Sequence, residues 1–228
     1  AVAARMAVMA GRARSLPDAD ARLARFADAI GDPTRARLYQ MLMTLWADPG
    51  RLVGAEEPPH AAIVAADLAA SGTLDFAQRT DLASYLPEAL FVKTDRATMA
   101  HGLEARVPLA ARAVTRLGLA QPEAMRQRDG RLKAVLRSVA YRRVDRALID
   151  RPKRGFSVPM GTWLRGPLRD WAESLIGPNA LRAAGLFDPQ MVGDRWASHL
   201  SGKADFSYSL WAILMAQDFA RRLRAGTP

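Results

Sequence analysis

This chain has no cysteine, which excludes disulfides and thiolate metal sites and fits a cytoplasmic protein. No apolar run approaches the length of a membrane span, so no membrane partner is expected. The opening Ala1-Val-Ala-Ala-Arg-Met is interrupted by arginine and lacks the layout of a secretory signal. A start at Ala1 rather than Met points to a piece of something longer. Lysine is also scarce: Lys93, Lys133, Lys153 and Lys203 are the only ones among 33 basic residues. Where arginine is the default cation, a retained lysine marks a need for a compact, flexible ammonium. Aromatics are few, and the arginines are scattered along expected helices without a basic run. The net charge of +10 therefore argues poorly for a nucleic-acid partner.

The 228 residues are enough for one domain with a real core, and half of them are apolar. Apolar residues recur at helical spacing almost throughout. Helices are expected over 18–30, from the Asp32-Pro33 cap to Trp46, over 61–70, and over 75–86 with an end at Pro87. Further helices are expected over 95–102, 110–119 and 131–141, and then from Pro167 through Leu175, over 189–200 and over 206–223. Asp48-Pro49-Gly50 reads as a stop, while 51–60 and 157–166 read as loops. No clean period-two alternation bounded by turn residues appears. The expected class is mainly α: either all-α or the α-rich half of an α/β domain. A helical arm over 1–78 would lead into a second part over 79–228.

Two stretches carry candidate chemistry. In the first, Lys93-Thr-Asp-Arg96 is followed by Glu104 and Arg106. Asp95 and Glu104 can orient Arg96 and Arg106 through carboxylate–guanidinium pairs, or the four can simply form an ion-pair network tying helices together. In the second, Arg151-Pro-Lys-Arg-Gly155 sets three cations before a glycine that allows close backbone approach, with prolines stiffening the loop. Lys153 could meet a phosphoryl group there, or the loop could be a solvated basic turn anchored by Phe156. Lys133 and Arg137 share a helical face expected to be solvated. His60, His101 and His199 are far apart with no ligand spacing, so no metal site is expected. Ser157 has no nearby histidine partner for a nucleophile triad, and the tryptophans read as core or interface anchors.

Taken in order, these blocks resemble the glutamine-hydrolysing asparagine synthase family. The resemblance rests on Tyr85-Leu-Pro, Val92-Lys93, Asp95-Arg96-Ala97, Met99-Ala100 and Leu103-Glu-Ala-Arg-Val-Pro108. It continues through Lys133, Leu136-Arg137, Pro152-Lys-Arg-Gly-Phe156, Trp163 to Trp171, and Trp196 with His199 to Gly202. It implies an ATP-pyrophosphatase-type domain that adenylates a carboxylate with MgATP and passes it to ammonia, releasing AMP. Lys153 would be the loop lysine on the phosphates and Arg96 a partner at the same site. Lys93, Asp95, Glu104, Arg106 and Gly155 would bind nucleotide or support those two residues. ATP and Mg2+ are the implied cofactors, with the metal's ligands outside this chain. A small-molecule carboxylate is the implied substrate, and a homodimer stays open.

Some of the family's pattern is missing. No Ser-Gly-Gly-x-Asp-Ser pyrophosphate loop, no Leu-Phe-Gly-Gly-Tyr block and no N-terminal cysteine nucleophile is present. The implied partners are therefore an upstream pyrophosphate-loop half and an N-terminal glutaminase domain, and the isolated chain is expected to be inactive. The family's usual Val-Pro-Phe-Leu-Asp is here Val107-Pro-Leu-Ala-Ala111, without the aspartate. That opens the door to a relative amidating or cyclising another carboxylate, such as a peptide or β-lactam former. A non-catalytic helical partner-binding module is the alternative of another class.

Overall fold

The computed structural model describes residues 34–56, 58–151 and 158–226. Their helices in chain order begin with α1 (Arg35–Met43), α2 (Pro49–Val53), α3 (Ala61–Ala69) and α4 (Thr73–Ala83). A π-helical stretch, Tyr85–Phe91, leads into α5 (Val92–Met99), followed by a short 3-10 turn at Pro108–Ala110 and α6 (Arg112–Ala120). Next come α7 (Glu123–Arg126), strands β1 (Gln127–Arg128) and β2 (Arg131–Leu132), α8 (Ala134–Ala140) and α9 (Arg146–Ile149). The last are α10 (Met160–Arg165), α11 (Arg169–Ile176), α12 (Pro178–Ala184), α13 (Pro189–Leu200) and α14 (Ser207–Arg224). The described chain is mainly α, as its apolar spacing predicts. The expected helix over 18–30 and the Asp32-Pro33 cap lie outside the described residues.

The backbone divides into two compact units, one of residues 1–58 with 157–228 and one of residues 59–156. Helix α4 runs unbroken through the expected 78/79 division, inside the second unit.

The first unit has a dense core. Leu164, Ala172, Val192, Leu210 and Leu214 are fully buried, and Leu52, Leu175, Leu181 and Ile213 are nearly so. On α14 the buried positions Leu210, Ile213, Leu214 and Gln217 recur every three or four residues, one face of a helix. Trp46 enters this core, donating its indole N–H to the Ser209 carbonyl at 3.3 Å, with the Arg195 guanidinium 3.6 Å above its ring. His199 is fully buried, and its Nδ1 accepts the Phe206 backbone N–H at 3.2 Å, which caps the start of α14 and fixes the proton on Nε2. Gly161 packs close by: a Cβ there would sit 2.9 Å from a carboxylate oxygen of Asp205, which would have to shift.

Several elements differ from the sequence expectation. Asp48-Pro49 starts α2 instead of only stopping the helix before it: the Asp48 carboxylate accepts the Arg51 N–H at 2.9 Å and Pro49 takes the first helical position. The expected loop over 157–166 contains α10, and Gly177-Pro178 opens the unanticipated α12. Pro87 does not end the helix. It brings no N–H, and the chain widens around it into the π-helical stretch before resuming as α5. Arg131-Leu132 is not the start of a helix but the second strand of a hairpin, paired Gln127 to Leu132 and Arg128 to Arg131. Its Asp129 and Gly130, at φ 53° and 73°, form the two-residue Asp-Gly turn that matches strand twist.

Candidate functional site

The second unit supports the first motif stretch on a buried charge. Asp75 on α4 is 1% exposed. It accepts the Ser71 N–H at 3.1 Å, the Arg79 Nε–H at 2.8 Å and an Arg126 N–H at 2.9 Å, and Arg126 also donates to the Gln78 side-chain Oε1 at 2.5 Å. Burial alone would raise the Asp75 pKa. The hydrogen bonds from Arg79, Ser71 and Arg126 outweigh burial and hold the carboxyl well below the usual range. This network ties α7 to α4, and α4 runs on into the π-helical stretch and α5.

On α5, Lys93 and Arg96 lie one turn apart on one face, and both are exposed with Asp95 between them. Among the described residues neither Asp95 nor Arg96 makes a side-chain ion pair, so the expected Asp95–Arg96 pairing is absent. The helix ends at Gly102, whose φ of +68° is the left-handed cap position that favours glycine. Beyond it Glu104 holds Arg106, one guanidinium nitrogen lying 2.9 and 3.0 Å from its two carboxylate oxygens. That pair is exposed, at 80% and 65% of the side-chain surface. It is neither a fork-on-fork clamp nor a buried tie between helices. The cations of this stretch therefore face outward, and on Lys93 and Arg96 they are not spent on acidic partners.

Lys153 and Gly155 lie outside the described residues. The chain leading to them is held by a network that the sequence reading missed. Asp150 accepts the Tyr141 hydroxyl at 2.6 Å and Arg131 at 2.9 Å, and it pairs with Arg137. Arg137 also donates to the Leu132 carbonyl at 3.1 Å, and Arg146 stacks 4.7 Å over the Tyr141 ring. The Tyr141 hydrogen bond, helped by the Arg131 and Arg137 charges against partial burial, lowers the Asp150 pKa. The Arg137 side chain is thus part of a clamp, not the solvated face expected for it. Lys133 sits at φ 61°, where the chain turns from β2 into α8. A sequence signal existed in Arg137 and Tyr141 at helical spacing, but their partner Asp150 is too far along the chain to be paired by pattern. Arg151 turns back to the Leu148 carbonyl at 2.9 Å.

From Tyr85 to Arg151 no residue is buried. Yet Val114 and Leu117 on α6, Val135 and Val139 on α8, Leu103 and Leu148 are large apolar side chains open to solvent. Among the described residues no group of acidic or histidine side chains could hold a metal ion, and no helix is long and apolar enough to cross a membrane.

A mainly helical chain with these ordered blocks is the helical portion of an ATP-pyrophosphatase-type domain. It belongs to the asparagine synthase family, whose profile matches residues 3–221. Among curated proteins it is similar to asparagine synthetase (glutamine-hydrolyzing) 1 of Bacillus subtilis strain 168, 28% identical over 138 residues. It is also similar to a protein of Mycobacterium tuberculosis strain H37Rv with the provisional name asparagine synthetase (glutamine-hydrolyzing), 34% identical over 139 residues. Each match takes in 60% of this chain, but only 22% of the first relative and 21% of the second. No solved structure matches the chain at a significant level.

Proposed function

We propose that this chain supplies the C-terminal part of the synthetase site of an ATP-dependent amide-forming ligase. The observation that carries the reading is the bare segment from Tyr85 to Arg151. It holds the family's ordered motifs and outward-facing cations, and its apolar side chains are uncovered. Such a surface is that of a domain part whose core is completed by further chain. An upstream half with the pyrophosphate loop would cover it and bring the phosphates of MgATP to Lys93 and Arg96. An N-terminal glutaminase would supply ammonia. The family's setting for such an enzyme is the cytoplasm.

In the reaction a carboxylate oxygen of aspartate attacks the α-phosphorus of ATP and pyrophosphate leaves. Ammonia then adds to the acyl carbon, loses a proton and expels AMP, leaving asparagine. The chain's own task is electrostatic. Lys153 and Arg96 stabilise charge building on the phosphoryl oxygens during adenylation, while Lys93 adds a second ammonium on the Arg96 face. Glu104 keeps Arg106 in place, Asp95 sets the local charge balance on α5, and Gly155 lets backbone approach the nucleotide. Magnesium would come with the nucleotide and be ligated from the upstream half.

ATP–pyrophosphate exchange tests this reading. In the longer parent, aspartate should drive exchange, and Lys153→Ala should abolish it while the fold persists; exchange retained by that variant refutes the assigned role. The isolated chain should show none, and substantial exchange by it alone overturns the need for an upstream half. Ala111, where the family's usual Val-Pro-Phe-Leu-Asp pattern would end in aspartate, favours one second reading, amidation or cyclisation of another carboxylate. Exchange driven by some other acid and not by aspartate would select it.

A further inference from the structure

Helix α14 has two apolar faces where a surface helix normally has one. Leu210, Ile213 and Leu214 turn inward to the core. On the opposite side, Tyr208, Ala212, Met215, Phe219 and Leu223 recur at steps of four, three, four and four, the spacing of a helix–helix seam. These side chains are open to solvent: Tyr208 is 59% exposed, Phe219 67% and Leu223 70%. No charged residue interrupts the stripe. Asp218 and Arg222 run along one edge, paired at 2.7 Å, and Ala216 and Ala220 line the other, where a second backbone has room to approach.

The stripe complements itself. Laid antiparallel on a copy about the midpoint between Met215 and Ala216, it sets Phe219 into the space left at Ala212 and Met215 into that at Ala216. Leu223 then lies on the partner's Tyr208. A parallel pairing would instead stack Phe219 on Phe219 and gather Arg221, Arg222 and Arg224 of both copies at one end, where like charges repel. The antiparallel pairing keeps these arginines at opposite ends. It also brings each Arg222 level with the ring face of the partner's Tyr208, an attractive contact for a guanidinium. At the area a large side chain can bury, the exposures of Tyr208, Met215, Phe219 and Leu223 amount to roughly 1,000 Å² over two copies, the lower bound of a specific interface.

We propose that the outward face of α14 is a homodimer interface, in which two copies of this chain pack α14 against α14 in antiparallel about a two-fold axis beside Met215. The face belongs to the unit with its own core, and the pairing does not depend on the ligase reading.

Sedimentation equilibrium of the full chain tests this, and a dimer that dissociates on dilution is expected. Phe219→Glu changes an exposed side chain, so helical dichroism should persist while the dissociation constant rises at least about thirtyfold, the loss of a central aromatic anchor. Because the chain has no cysteine, introduced ones report the geometry. A short bis-maleimide should join two copies of Met215→Cys, and should join Tyr208→Cys to Leu223→Cys when the two variants are mixed. It should not join Leu223→Cys to itself. A monomeric wild-type chain overturns the proposal, as does a dimer that survives Phe219→Glu or that is dissolved by Leu117→Glu on α6. Cross-linking of Leu223→Cys to itself would overturn it too, since only parallel helices bring those positions together.

Discussion

Asp75 is the residue on which the second unit turns. A carboxylate 1% exposed between two arginines is tolerable only while all three are paired, and truncating one member strands the others. Asp75→Ala should therefore cost about 3 kcal/mol in urea unfolding of this unit. The folded pKa of Asp75 lies below its unfolded value, so its contribution to stability is whole above the ordinary carboxylate range. It shrinks as pH falls below that range, because the unfolded chain takes up the proton first. In Asp75→Asn the acid limb of the stability profile should flatten; an unchanged limb would mean another group dominates acid unfolding. Sequence alone did not reveal this residue. Asp75, Arg79 and Arg126 look like surface charges until Arg126 is brought across from α7.

At the scale of elements, helices with a clear apolar stripe and a cap were legible. The helices expected over 61–70, 189–200 and 206–223 appear as α3, α13 and α14, with Asp188-Pro189 capping α13 as those residue types predict. Short pieces were not legible. The hairpin β1–β2 offers two residues per strand, too few to show alternation, and only Asp129-Gly130 announces it. Pro87 misled because a proline stop is the usual outcome, whereas here the chain stays helical by widening. Among the site residues, the outward cations of α5 were legible by type, but their lack of acidic partners was not. The Asp150 clamp was hidden because its members come from β2, α8 and the end of α9. Tyr141→Phe removes the hydroxyl at 2.6 Å and leaves the ring under Arg146. In the longer ligase proposed above, this variant should raise the KM for ATP several-fold with little change in melting temperature, because it loosens the approach to Lys153. An unchanged KM would make the clamp purely structural.

For the whole molecule, the two units differ in how much they bury. The unit around Leu164, Val192 and Leu214 has a core of its own, while the other, among the described residues, buries only a few side chains of α3 and α4 and of Ser84 next to α4. Hydrogen exchange should show this directly: in the isolated chain, amides of α6 and α8 should exchange far faster than those of α13 and α14. In the parent protein the α6 and α8 amides should become protected. Equal protection in both forms would mean that no further chain covers Val114, Leu117, Val135 and Val139. The family was legible from ordered motifs because they run through nearly the whole chain. What faces its exposed apolar side chains was not, because nothing in the pattern of these 228 residues names a partner for them.

Reconstitution tests the central claim most directly. The chain and the separately produced upstream half of its parent are assayed for aspartate-dependent ATP–pyrophosphate exchange, singly and mixed. Each part should be silent alone, and the mixture should gain exchange that Lys153→Ala in this chain removes. A mixture that forms a stable complex yet shows no exchange with any carboxylate, or whose exchange survives Lys153→Ala, would contradict the account.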